Sequence, residues 1–267
     1  MKKGTLSNAG ILALAVLISG LIFQPVRAEG DAVPAGGAVV FNMTDRGYAP
    51  FMIPAVGGKP AGGIILDVLR LILNKRDISV HTLAVPKNRE LRYLEAGNLD
   101  AHATAREWIS NADAFVFTDP VLNIRNVVIT KKTSDWRFND FDDLVGKRLV
   151  THLGFVYPPL SGYFNSGQIR RVDGTSGLSM LKMVRSGRGD GAIMNDAVAM
   201  WLISQNGLED EFILSHRAVT DFGYRIMFAP KWKSLVDYFN MELARLRQTG
   251  ELAEIFRRYG YMPTGGS

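Results

Sequence analysis

Residues 38–100 and 148–190 run through the same order of elements: apolar strand, loop, helix, second strand, second helix, and a glycine turn closed by an aspartate. The two turns read Gly97-Asn98-Leu99-Asp100 and Gly187-Arg188-Gly189-Asp190. Short β-type runs alternating with helical patterns argue for parallel-type α/β sheets flanked by helices. A cycle that restarts implies two similar lobes with a cleft between them.

The pieces follow from local pattern. Ala38 to Met43 is a nearly unbroken apolar run, as in a strand buried on both faces. Ile65, Val68, Leu69, Ile72 and Leu73 recur at helical spacing within Ile64 to Asn74. Val80 to Val85 reads as a strand, and Asn88 to Ala96 as a short helix stopped by Gly97. From Ala101 to Glu107 the chain reads as a polar loop, and Phe115 to Phe117 is a further apolar run before Thr-Asp-Pro. This stretch, 97–120, is expected to form one wall of a small-molecule site, because open α/β sheets place ligands on loops that follow strands. Beyond it, Asn126 to Thr130 and Arg148 to Leu153 read as strands and Tyr157 to Phe164 as a helix. Phe212 to Leu214, Ala218-Val219 and Tyr224 to Phe228 read as separate strand pieces, and Leu235 to Gln248 and Glu251 to Tyr259 as amphipathic helices.

Residues 1–28 have the form of a secretory signal: Lys2 and Lys3, an apolar run from Ala9 to Phe23, and Val26-Arg27-Ala28 before a cut after Ala28. Losing Lys2, Lys3 and Arg27 lowers the formal charge from +5 to +2. No single-sign block points to nucleic acid, and the late arginines alternate with Glu242, Glu251 and Glu254. The chain has no cysteine, which removes disulfides, thiolate metal sites and cysteine nucleophiles. His81, His102, His152 and His216 lack metal-ligand spacing and read as structural, so no cofactor is expected.

Over residues 38–261 the order of short motifs resembles the bacterial extracellular solute-binding proteins of family 3, the periplasmic type that serves polar amino acid ABC importers. Thr44-Asp45-Arg46-Gly47-Tyr48-Ala49-Pro50-Phe51 is similar to the family's opening Thr-Asp-x-x-Tyr-x-Pro-Phe. Gly63 to Asp67 resembles its helix start. Gly97 to Asp100 and Phe117-Thr118-Asp119-Pro120 bracket the first-lobe loop, and Phe141 to Lys147 resembles its passage into the second lobe. Gly187 to Asp196 resembles its later strand, and Phe239 to Tyr259 its terminal helix pair. The resemblance implies the type II two-lobe periplasmic binding protein fold, with lobe one at 36–131 plus 225–261, lobe two at 132–224, and a two-segment hinge. It also implies a monomer that takes a small ligand and is read by a membrane permease.

By the same resemblance Tyr48 stacks on the ligand, Asp45 touches a polar group of it, and Thr104 supplies a pocket hydroxyl. The family's carboxylate-binding arginine falls at Asn111 here, and the nearest arginine is Arg106. Its Gly-Thr or Gly-Ser loop reads Gly154-Phe155, and its amino-group aspartate aligns with Asn195, one residue before Asp196. All three parts of the amino-acid clamp therefore depart from the pattern.

Each residue has two readings. Arg106 in the cleft would fork onto an anionic ligand, whereas on a loop surface it would pair with Glu107 or Asp113. Phe155 either closes the cleft with an apolar face or caps the helix below it. Asn195 and Asp196 either reach the ligand or cap the helix that follows. The expected function is capture of a small polar, anionic ligand, an amino acid or related organic acid, without catalysis. One alternative is an enzyme on the same scaffold, similar to cyclohexadienyl dehydratases, with Glu107 or Asp196 as general acid. The other is a soluble sensing or partner-binding module.

Overall fold

The computed structural model describes residues 36–45 and 47–262. The expected leader, its cut after Ala28 and the last five residues lie outside the described residues.

Among the described residues nine strands join in one mixed sheet, and its order shows the internal repeat directly. In the first half β1 (Ala38–Asn42) pairs in parallel with β2 (Ser79–Leu83) and β3 (Ala101–Ala105). In the second, β6 (Arg148–His152) pairs in parallel with β7 (Arg170–Gly174) and β8 (Gly191–Asn195). The two aspartates that end the repeat do the same work. Asp100 accepts from the Val40 amide at 2.8 Å, and Asp190 accepts from the Arg148 amide at 2.7 Å. Each carboxylate satisfies a backbone donor on its half's middle strand, at the centre of β1 and at the start of β6.

The halves are joined by two long antiparallel strands, β5 (Leu122–Lys131) and β9 (Phe212–Phe228), which lie side by side in the middle of the sheet. β9 also pairs with β3 and with the two-residue β4 (Val116–Phe117), and β5 pairs with β8. β9 is one strand of 17 residues where the sequence pattern suggests three pieces. Similarly, Ala101–Ala105 is buried strand, not loop: it pairs with β1 on one side and β9 on the other, and its three alanines leave room on one face.

Helices cover the sheet. α1 (Ile64–Leu73) is apolar almost all round and buries Ile65, Leu66, Leu69 and Ile72. It starts at Gly63, whose φ is 109° and where a Cβ would come 2.5 Å from the Phe51 carbonyl oxygen, so only glycine fits. The first half also carries α2 (Glu90–Glu95), and the second α3 (Ser161–Asn165), α4 (Gly177–Arg185) and α5 (Asp196–Gln205). A 3-10 turn, Pro158–Leu160, takes the first part of the helix expected from Tyr157. α6 (Lys233–Gln248) and α7 (Glu251–Arg258) return to the first core through Phe239, Leu243, Leu252 and Ile255.

The apolar cores change over within the two long strands. On β5, Ile124 belongs to the core of α1, α6 and α7, while Val127 belongs to that of α4 and α5. On β9 the change falls between Val219 and Tyr224.

Candidate functional site

At that changeover Asn126 and Thr220 are cross-strand partners, and the Asn126 amide donates to the Thr220 hydroxyl at 2.7 Å. Both side chains line a cavity of about 790 Å³. Its first wall comes from the loop after β1 (Thr44, Asp45, Tyr48), from β3 and from the turn after it. Its opposite wall is Gly154 to Pro158, after β6. Ile124, Phe222 and Tyr224 of the long strands complete the floor. The loops after the central strand of each half thus face each other across the joining strands, as expected for ligand sites in open sheets.

The first wall is strongly aromatic. Tyr48 lies 5.2 Å from Phe51, Phe51 lies 5.4 Å from Tyr224, and Trp108 packs on Tyr224 and Phe222 at 6.3 and 6.1 Å between ring centres. Burial pushes the Tyr48 and Tyr224 phenols well above their ordinary pKa, so both stay protonated. The Tyr224 hydroxyl donates to the Ala103 carbonyl at 3.3 Å. Opposite them, Phe155 is 48% exposed, with its ring 4.4 Å from that of His152.

Behind the aromatic rings is a polar cluster organised by Asn42, the last residue of β1. Its side chain makes four hydrogen bonds, the full capacity of an amide. It donates to the Val85 carbonyl at 3.2 Å and to Glu90 Oε1 at 2.7 Å, and accepts from the Thr44 and Val85 amides at 2.9 Å each. The bond to Thr44 holds that residue at φ 57°, a left-handed conformation that is costly for a β-branched side chain. It leaves the Thr44 hydroxyl buried with no hydrogen-bond partner. Glu90 is 6% exposed, and burial raises its pKa to about 7 against the pull of Lys87.

His102 is the register partner of Asn42 across β1 and β3. It is 4% exposed, and burial lowers its pKa to about 4, so it is neutral. Its Nδ1 is 3.2 Å from the Ala103 carbonyl and 3.6 Å from Glu90 Oε2. Its Nε2 is buried without a partner, so the ring is not the satisfied structural histidine expected from sequence. His102 and Thr104, two apart on β3, share a face and both line the cavity.

Of the residues singled out from sequence, Asp45, Tyr48, Thr104 and Phe155 line this cavity together. Arg106, Asn195 and Asp196 are not among its lining residues. After Ala105 the chain turns through a 3-10 segment, Arg106–Trp108. That turn brings Glu107 and Trp108 to the cavity and sends Arg106 outward, where it pairs with Asp113 at 2.5 Å and lies over Phe117. Asn195 caps α5, accepting from the Val198 amide at 3.0 Å. Asp196 is buried beside Arg125, with Nη1 3.5 Å from Oδ2, and burial raises its pKa to about 6. Sequence reasoning missed Asn42, Glu90, Trp108, Asn126, Thr220 and Phe222. The signal it had was Trp108 inside a polar stretch, since an aromatic in a loop after a strand is a candidate ligand platform.

Among the described lining residues the acidic side chains are Asp45, Glu90 and Glu107, and Lys87 is the single Lys or Arg, 5.4 Å from the Trp108 ring centre. Among the described residues no three His, Cys, Asp or Glu side chains gather as a metal ion would require.

The sequence profile of bacterial extracellular solute-binding proteins, family 3, matches residues 41–262. No curated protein sequence matches the chain. Solved structures share the fold at low identity. The L-cystine solute receptor of Neisseria gonorrhoeae, in its unliganded open conformation, is 16% identical at a TM-score of 0.69, over 85% of this chain and 94% of that one. Substrate-binding domain 2 of Lactococcus lactis GlnP is 20% identical at 0.68, over 85% and 96%. A histidine kinase sensor domain with similarity to periplasmic binding proteins is 18% identical at 0.65, over 84% and 96%. The fold is the type II, two-lobe periplasmic binding protein fold.

Proposed function

Because this chain belongs to the bacterial extracellular solute-binding proteins, family 3, we propose that it captures a small organic solute in the cavity between its halves and hands it to an ABC importer. In this reading the precursor is cut after Ala28 and the mature protein works as a periplasmic monomer. The lobes hinge on the Asn126–Thr220 pair, a few residues inside the bounds expected from sequence. Tyr48, Thr104, Trp108 and Phe155 contact the ligand, with Asp45 at the rim.

One observation carries the reading. The cavity is floored by the two joining strands and walled by loops of both halves, so a ligand there touches both at once. A ligand that contacts both walls favours the closed arrangement over the open one by the contacts the open form lacks. Trp108 at 42% and Phe155 at 48% exposure stand at the mouth with apolar surface that closure would cover.

An anionic ligand was expected on the strength of Arg106. With Arg106 paired to Asp113 outside the cavity, the described cation available to a carboxylate is Lys87. The proposal is therefore an organic solute with a flat apolar body, not one defined by its carboxylate.

The test is native mass spectrometry of the mature protein, repeated after denaturation and refolding. A small molecule that is present before unfolding and absent after it is the expected result. The reading fails if nothing is bound and no thermal stabilisation appears across amino acids, dicarboxylates, aromatic acids and aromatic amines.

A second reading, the dehydratase-like enzyme, draws on Glu90, because a buried carboxyl with a raised pKa facing a cavity suits a general acid. Cyclohexadienyl acids carry carboxylates, however, and the lining is richer in acids than in cations. Turnover of such an acid, lost in Glu90→Gln, would move the assignment to this reading.

A further inference from the structure

We propose that the inner end of the cavity recognises a nitrogen donor on the ligand through His102 Nε2, so that the solute is a flat apolar molecule carrying an amine or ammonium group. The inference rests on the cavity being the ligand site, and it names the class of ligand.

The geometry of His102 supplies the argument. A carbonyl oxygen only accepts, so the 3.2 Å contact of Nδ1 with the Ala103 carbonyl assigns the ring proton to Nδ1. Nε2 is then left with a lone pair. That nitrogen is buried, belongs to a residue lining the cavity, and has no hydrogen-bond partner. A buried acceptor without a donor is costly, and native proteins rarely keep one without a use. A donor brought by the ligand satisfies it, whereas a carboxylate oxygen would face it lone pair to lone pair.

The neighbours point the same way. Glu90 Oε1 is occupied by the Asn42 amide, and Oε2, on the His102 side 3.6 Å from Nδ1, is an acceptor once the carboxyl ionises above about 7, as at the pH of the experiment below. The Thr44 hydroxyl is the second buried polar atom of the lining without a partner, and a hydroxyl accepts as readily as it donates. Asp45 and Glu107 add two acceptors toward the mouth. Lys87 is the described cation of the lining, and its ammonium is already placed over Trp108. Aromatic faces are themselves attractive to a cationic head group, and Trp108, Phe222 and Tyr224 form a contiguous set of them. Acceptors behind π-faces make a site for an aryl or alicyclic amine.

The experiment compares three probes of one shape by calorimetry at pH 7.5: 2-phenylethylamine, phenylacetamide and phenylacetate. The amine is expected to bind the wild type at least tenfold more tightly than the acid, with the amide between. His102→Phe keeps the ring volume and removes the acceptor; it is expected to weaken the amine at least tenfold and to leave the acid unchanged. Arg106→Ala is the control and leaves all three unchanged. Phenylacetate binding as tightly as the amine, none of the three binding, or His102→Phe retaining the amine would each overturn the inference. If His102→Phe does not fold, the wild-type ratio of amine to acid decides alone. The cleft reading is judged separately, by the co-purifying molecule. An acid found there and lost on unfolding would keep the cleft and discard the donor site.

Discussion

Glu90 and His102 should oppose each other in the pH dependence of stability, and single substitutions should expose each of them. Burial keeps Glu90 protonated up to about 7, against 4.5 for an ordinary glutamate, and keeps His102 neutral down to about 4, against 6.5. Between pH 4.5 and 6.5 the folded pair is therefore an acid and a neutral ring, while the unfolded pair is a carboxylate and an imidazolium. The folded state binds one proton more at Glu90, so that group makes stability fall as pH rises. The unfolded state binds one more at His102, so that group makes stability rise. The two slopes, each about 1.4 kcal/mol per pH unit, cancel in the wild type. Glu90→Gln leaves the histidine slope, and stability relative to wild type should rise by about 3 kcal/mol from pH 4.5 to 6.5. His102→Asn should fall by about the same amount over that window. Charged groups that act on the pair, Lys87 on both and Asp45 on Glu90, are unchanged in both variants, as is Asp196, so the difference curves remove them. Urea melts at half-unit pH steps measure this. Difference curves that stay flat within about 1 kcal/mol would refute the assignment of a protonated Glu90 beside a neutral His102.

Three further outcomes follow from the same geometry. Asn42→Leu removes four hydrogen bonds and strands the Thr44 and Val85 amides, so it should cost about 3–5 kcal/mol at about 1 kcal/mol per bond; a loss under 1 kcal/mol by urea melt would contradict its organising role. Gly63→Ala forces a Cβ against the Phe51 carbonyl at a φ of 109° and should lower the melting temperature by several degrees, while Gly97→Ala, which meets nothing within 4 Å, should cost less despite its positive φ. Arg106→Ala should change stability by less than about 1 kcal/mol, because its partner Asp113 is 97% exposed; a larger loss by the same melts would mean that Arg106 has a buried role.

What local pattern decides was legible. The two Gly-x-x-Asp turns announced the repeat because a carboxylate one turn after a glycine closes onto its own half's strand. α1 and the cap at Asn195 or Asp196 depend on neighbours within a few residues, and local pattern reports such contacts. The long strand β9 was not legible. Ser215 to Arg217 and Asp221 to Gly223 interrupt its apolar pattern, and only partners on both sides hold those residues extended.

The amino-acid sequence by itself determined two α/β halves, the loops that face each other, Tyr48 and Phe155 as candidates on those loops, and Thr104 as a candidate that the structure places on strand β3 beside them. Tertiary structure decided which side chains meet. Asn42, Glu90 and His102 are separated by 48 and 12 residues; the parallel register of β1 with β3 sets Asn42 beside His102, and α2 brings Glu90 to both. Whether Arg106 or its neighbours Glu107 and Trp108 face the cavity turned on the phase of one short 3-10 turn, where a single residue rotates the side chain by about a third of a turn. Spacing in the chain carries no information about that phase, because the turn packs against Phe222 and Tyr224, which lie more than a hundred residues later in the chain.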